Sequence, residues 1–260
     1  MKSVIVIPAR FASSRFSGKP LALIHGKSLL KRVWDIAKAV TDIEEVYIAT
    51  DDDRIKYHAE NFGAKVIITK SSCENGTNRV YEAIKSLKIL PNIIINLQGD
   101  AVLTPPWVIQ SLLNNMIEDQ TIGLATLATK ITVKQYNEMR VAKIEGSVGG
   151  TMVVFDKKNN ALYFSKSMIP FLRNNQINDP HLYRHIGLYG YNYQTLKKYL
   201  ELFPTPLEQL ESLEQLRALE NGIPIRVVIA DYKGRTHCAV DSPKDIATVE
   251  AIISKEGELC

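Results

Sequence analysis

The chain has 260 residues, enough for one large α/β domain or two small ones. Hydrophobic residues make up 45% and charged residues 23%, as in ordinary globular enzymes. The balance of 32 basic against 28 acidic residues, net +4, argues against nucleic acid as the main partner, and no apolar run nears the ~20 residues that span a bilayer. Cys73, Cys238 and Cys260 form no CxxC pair and read as inert thiols. The N-terminus enters directly on a strand pattern without a signal-peptide cleavage region. Together these lead us to expect a reducing, cytoplasmic setting and no membrane insertion.

In chain order, residues 4–7 read as a strand ending at Pro8, followed by a loop carrying Arg10, Ser13, Arg15 and Lys19. Such a loop can cradle a polyphosphate, or be a basic surface loop; it is neither a P-loop nor a dinucleotide fingerprint. Apolar residues between Leu29 and Val40 recur at helical spacing. Strand 46–49 precedes Thr50-Asp51-Asp52-Asp53, a helix over 54–61 stops at Gly63, and strand 66–68 follows. A helix is expected over 79–87 and a buried strand over 92–97. Continuous apolar strands alternating with amphipathic helices predict an α/β fold, with a mostly parallel central sheet flanked by helices. Its ligands belong outside the strands' carboxyl ends, where Arg10, Asp51 and Asp100 fall.

The second half is more mixed. Strands are expected at 122–127, 152–155, 185–193 and 225–230, and a short helix at 134–139. Residues 146–150 read as a glycine-rich turn, 161–173 as a compact apolar stretch and 173–180 as a loop. Leucines at 207, 210, 213, 216 and 219 predict one long helix after Pro206. Ser242, Pro243 and Asp245 suit the N-cap, first and third positions of a last helix. No repeat or linker is evident, so one domain over 1–260 is expected, with a subdomain near 130–200.

Four groups suggest chemistry. Asp100, after Gln98-Gly99, suits a hard cation that also takes phosphate oxygens, or else closes a turn. Asp241 could hold the same metal from a second strand end, or help cap the helix. Asn75-Gly76-Thr77-Asn78-Arg79 can bind a base or phosphate at a helix start, or simply cap it. Over residues 185–191, His185, Gly187, Tyr189 and Tyr191 share one strand face, suited to a hydroxyl-rich ligand; a satisfied structural histidine is the other reading. Glu208, Glu211, Glu214 and Gln215 read as a solvated helix face.

These blocks, in order over nearly the whole chain, resemble the 3-deoxy-manno-octulosonate (Kdo) cytidylyltransferases. The matching segments are Pro8-Ala9-Arg10, Ser13-Ser14-Arg15, Gly18-Lys19-Pro20-Leu21, Gln98-Gly99-Asp100, Tyr163-Phe164-Ser165, Ile169-Pro170, residues 185–191, 206–217 and 240–243. The resemblance implies a nucleotide-diphospho-sugar transferase fold, with a smaller sugar-binding and dimerisation subdomain. It implies that Arg10, Ser13, Arg15 and Lys19 hold CTP phosphates and that Gly76 and Arg79 border the cytosine. It gives Asp100, Lys19 and Arg10 catalytic roles, and Asp100 and Asp241 to Mg²⁺. Gln98, His185, Tyr189, Glu214 and Gln215 would line the sugar-acid site. A homodimer acting in lipopolysaccharide biosynthesis is implied as well. Ala101, Asn78, Lys166 and Met152 depart from the family pattern, and Lys166 stands where an arginine's bidentate fork is usual. The departures raise two alternatives: the same reaction on an 8-amino Kdo analogue, or a nucleotide- or sugar-binding homologue without catalysis.

Overall fold

The computed structural model describes residues 2–12, 16–146, 149–173 and 181–260. Strand β1 (Ser3–Pro8) leads to a 3₁₀ turn at Lys19–Leu21, the short pair β2 (Leu23–Ile24) and β3 (Lys27–Ser28), and helix α1 (Leu29–Lys38). Then follow β4 (Glu45–Thr50), α2 (Asp53–Asn61), β5 (Lys65–Ile68), α3 (Gly76–Lys85), β6 (Ile93–Asn96) and α4 (Pro106–Glu118). The second half contains β7 (Leu124–Lys130), α5 (Val133–Ile144), β8 (Met152–Phe155), β9 (Ala161–Ser165), β10 (Tyr183–Asn192), α6 (Tyr193–Leu200), α7 (Pro206–Glu211), α8 (Gln215–Glu220), β11 (Arg226–Ile229) and α9 (Lys244–Glu256).

The main sheet runs β11-β7-β10-β6-β1-β4-β5. β1 pairs in parallel with β4 and β6, β4 with β5, and β7 with β11, whereas β10 is antiparallel to both β6 and β7. All six residues of β1 are buried, because helices cover both faces. Ile5 and Ile7 pack into a core shared with α1, α4 and α9. Val4 and Val6 point the other way, into a core shared with α3, α6 and α8. β8 and β9 extend the sheet from the start of β10, over a satellite cluster of Ile131, Tyr136, Met152 and Leu182.

Four local expectations need correction. The leucine stripe is two helices, because Ser212 adopts a left-handed conformation (φ 52°) between α7 and α8. Leu213 and Leu216 are buried, but Leu210 is 81% exposed, so the leucines do not form one face. The Ser242 side chain does not cap α9 by accepting. Its hydroxyl and backbone N–H both donate to Asp245 Oδ2, as does the N–H of Asp241. Asp241 follows irregular chain, not a strand. The short helix at 134–139 is the longer α5, whose start carries a capping box between Thr132 and Gln135. Residues 147–148 of the glycine-rich turn and 174–180 of the following loop lie outside the described residues.

Candidate active site

The parallel strands β1 and β6 end side by side, and a cleft of about 230 Å³ opens at their carboxyl ends. One wall is the loop after β1, with Arg10 and Lys19. A second is the start of α3, with Asn75, Gly76 and Arg79. The floor is Gln98, Gly99 and Asp100 after β6. Asn75 caps α3 by accepting from the Asn78 N–H at 2.9 Å, and the helix presents its positive end to the cleft. A Cβ on Gly76 would lie 3.0 Å from Gln98 Oε1 and 3.3 Å from Pro8 Cγ, so only glycine fits without displacing its neighbours. A Cβ on Gly99 would lie 3.1 Å from the Pro8 carbonyl oxygen, a backbone atom with little room to yield.

The Lys19 ammonium donates to Asp100 Oδ2 at 3.0 Å and to the Val240 carbonyl at 2.9 Å. Val240 in turn donates its N–H to the Asp100 carbonyl. Lys19 thereby ties together the loop after β1, the loop after β6 and the segment carrying Asp241. The loop after β1 is further pinned by Phe11: its carbonyl accepts from the Gly18 N–H at 2.9 Å, and the Arg54 guanidinium sits 3.4 Å from its ring centroid. Arg10 is exposed at the cleft wall. Arg79 is 3% exposed and is committed to Thr69 Oγ1 at 2.6 Å and Asp51 at 3.1 Å, so it braces the α3 wall. Among the described residues no group of three or more ligating side chains gathers. The Val240 N–H bond to the Asp100 carbonyl brings the segment carrying Asp241 beside the Asp100 loop, and a hard cation such as Mg²⁺ takes one or two carboxylates together with phosphate oxygens and water. Ser13 and Arg15 lie outside the described residues.

A chain of polar side chains leads from the cleft into the second core. Gln98 Nε2 donates to Asn96 Oδ1 at 2.9 Å, and Asn96 Nδ2 donates to Thr77 Oγ1 at 3.3 Å. The Thr77 hydroxyl donates to the Glu214 carboxylate, 3.2 Å from each oxygen. Burial raises the Glu214 pKa above the usual range, with the Thr77 hydrogen bond and Arg217 opposing it. Beside Glu214, Tyr189 donates its hydroxyl to Gln215 Oε1 at 3.0 Å. Burial, then Glu214, pushes the Tyr189 hydroxyl well above its ordinary pKa.

His185, Tyr189 and Tyr191 do share a face of β10. The register against β7 slips by two residues between Ile186 and Tyr189, an even number that preserves alternation. That face is a buried aromatic layer, however, not an open polar one. His185 is 8% exposed, hydrogen-bonds Thr126 Oγ1 at 2.9 Å and packs edge-on against Phe164. Burial first, then His237 and Lys166, lowers its pKa to about 3, so it stays neutral. The glutamates expected on a solvated face are also engaged. Glu208 forms a two-bond pair with Arg217, and Glu211 accepts from Ser165 Oγ and the Lys166 N–H. Asn96 and Thr77 carry only a faint signal in the sequence: a polar Asn at the end of an isoleucine strand and a threonine in the α3 block.

The cytidylyltransferase family profile matches residues 4–227. A Maricaulis maris protein named 3-deoxy-manno-octulosonate cytidylyltransferase is 49% identical over 259 residues, covering 100% of both chains. The chain belongs to the 3-deoxy-manno-octulosonate cytidylyltransferase family. It is accordingly a nucleotidyltransferase by family. A Shewanella pealeana relative named 8-amino-3,8-dideoxy-manno-octulosonate cytidylyltransferase is 41% identical and covers 96% of this chain and 98% of its own. The solved structure of a CMP:2-keto-3-deoxy-manno-octonic acid synthetase complexed with CTP superposes with a TM-score of 0.87. That protein is 36% identical, and the match covers 98% of this chain and 100% of that one.

The departures from the cytidylyltransferase pattern have distinct surroundings. Ala101 packs against the first core beside Asp100. Met152 is fully buried in the satellite cluster. Lys166 is anchored through its backbone N–H to Glu211 at 2.8 Å, and Asn78 contributes its backbone N–H to the α3 cap.

Proposed function

We propose that this protein transfers CMP from CTP to the anomeric hydroxyl of Kdo, releasing pyrophosphate. The hydroxyl oxygen bonds to the α-phosphorus, the bond to the β-phosphate oxygen breaks, and the hydroxyl proton is lost. One observation carries this reading: Lys19 and Asp100 meet at the carboxyl ends of β1 and β6, in a cleft joined by Gln98, Asn96 and Thr77 to Glu214. Arg10 and Lys19, with the start of α3, neutralise and orient the triphosphate, and Gly76 with Arg79 shapes the base end. Asp100 and Asp241 would hold Mg²⁺, which when bound supplies charge neutralisation on the phosphates. Gln98, His185, Tyr189, Glu214 and Gln215 form the acceptor side, where neutral His185 contributes shape and hydrogen bonding, not charge.

We assign the same reading to a homodimer, a sugar-side subdomain near 130–200, cytoplasmic location and a role in lipopolysaccharide biosynthesis. Exposed Leu162 and Phe171 support an association surface in this region. A second acceptor, 8-amino Kdo, is favoured by Glu214: its side chain receives one hydroxyl donor, and an ammonium would complement its charge. Pyrophosphate release from CTP with a panel of sugar acids tests the proposal. Turnover with Kdo supports it, and a higher kcat/KM for the 8-amino acid selects the second acceptor. CTP binding without turnover on any acid would refute catalysis.

A further inference from the structure

The segment Thr50-Asp51-Asp52-Asp53 after β4 lines no part of the cleft, yet two of its carboxylates hold cleft walls. Asp51 forms an ion pair with Arg79 at 3.1 Å, on the α3 wall. Asp52 caps α2 by accepting from the Arg54 N–H at 3.0 Å. The same carboxylate takes two further bonds from the Arg54 guanidinium, at 3.0 and 2.6 Å. That fork fixes the guanidinium plane. The guanidinium carbon lies over the Phe11 ring, 3.4 Å from its centroid.

Phe11 passes this constraint to the wall that carries Arg10 and Lys19. The chain leaves β1 beside the end of β4, where the Ala9 N–H donates to the Ala49 carbonyl at 2.9 Å. Two residues on, the Phe11 carbonyl accepts from the Gly18 N–H, and the ring closes on Gly18: a Cβ there would lie 3.2 Å from Phe11 Cζ. Gly18 (φ 72°) opens the 3₁₀ turn that starts with Lys19. The position of Phe11 therefore sets that of Lys19, whose ammonium holds Asp100 and the Val240 carbonyl. Phe11 is only partly buried against the first core, so the Arg54 stack supplies a contact that burial alone does not. Asp52, Arg54 and Phe11 lie outside the cleft lining and act on a ligand only through Arg10 and Lys19.

Resting on the proposed transfer from CTP, we infer that Asp52, Arg54 and Phe11 form a latch that positions Arg10 and Lys19 against the triphosphate. All three are positioning residues. The test uses Arg54→Met, Phe11→Leu, the double variant and Asp52→Asn, with calorimetric CTP binding and steady-state kinetics. Arg54 is largely exposed and asparagine caps a helix as well as aspartate, so Arg54→Met and Asp52→Asn should fold, which thermal denaturation checks. Each single variant should weaken CTP binding about two- to fivefold, the worth of one exposed cation–ring contact. As Lys19 shifts, kcat should fall about tenfold, while KM for Kdo at saturating CTP stays within about twofold. The double variant should lose no more than Phe11→Leu, since the two side chains act through one contact. Additive losses, an equal rise in KM for Kdo, or unchanged CTP affinity and kcat in Arg54→Met would overturn the latch. Absence of CTP binding by wild type would instead sink the proposed function. Amide hydrogen exchange then still decides the latch: faster exchange at Gly18 in Arg54→Met supports it, and unchanged exchange overturns it.

Discussion

Replacing Glu214 by Gln should make the protein more stable and less active. The Glu214 carboxylate faces the interior and receives the Thr77 hydroxyl, 3.2 Å from both oxygens. The nearby Arg217 spends two hydrogen bonds on Glu208, at 2.7 and 2.5 Å, which leaves Glu214 with little direct compensation. Burial consequently raises its pKa from the ordinary value of 4.5. For an acid shifted upward, the folded state holds its proton longer than the unfolded chain. The contribution to stability is intact below pH 4.5 and is lost as the pH rises through the folded-state pKa. Glutamine keeps an oxygen for Thr77 and removes the charge. We expect Glu214→Gln to gain about 1 kcal/mol at pH 8, comparable to one net hydrogen bond, and to raise Tm by about 2–4 °C. The gain should shrink to nothing at acidic pH. Urea unfolding of both proteins at several pH values measures it, and pyrophosphate release should show about tenfold lower kcat/KM for the acceptor. A variant that is less stable at pH 8, or a difference that does not change with pH, would refute the argument.

Lys19→Met removes the cation held between Asp100 and Val240, so turnover should fall about 10²- to 10³-fold in a pyrophosphate assay while the fold persists. Gly76→Ala pushes a methyl to 3.0 Å from the Gln98 amide; KM for CTP should rise about tenfold, the equivalent of one misplaced contact, and calorimetry should show the same loss. His185 and His237, with pKa values lowered to about 3 and about 4, contribute stability above the unfolded value of 6.5 that is lost as pH falls toward those values. Their combined slope peaks at about 2.5 kcal/mol per pH unit near pH 5, superimposed on the other titrations, and His185→Asn should flatten it in urea denaturation.

The alternating fold of the first half was legible because its strands are continuous apolar runs and its helices carry one apolar stripe. That local pattern already requires a sheet covered on both faces, and the carboxyl ends of such strands locate Arg10, Asp51 and Asp100. The residue order also carried the family. Less was visible where long-range contacts decide. Five leucines at helical spacing could not reveal the break at Ser212, where Leu213 and Leu216 turn into the core while Leu210 stays exposed. The His/Tyr alternation survived in β10, yet its burial beneath Phe164 and α8 depends on elements distant in sequence. Nor could spacing join Gln98 to Glu214 through Asn96 and Thr77, or bring Arg54 onto the Phe11 ring. Periodicity reports which face of a segment is apolar. Only packing decides which polar groups lose water together, and hydrogen-bond satisfaction and charge compensation in the assembled interior then set their chemistry.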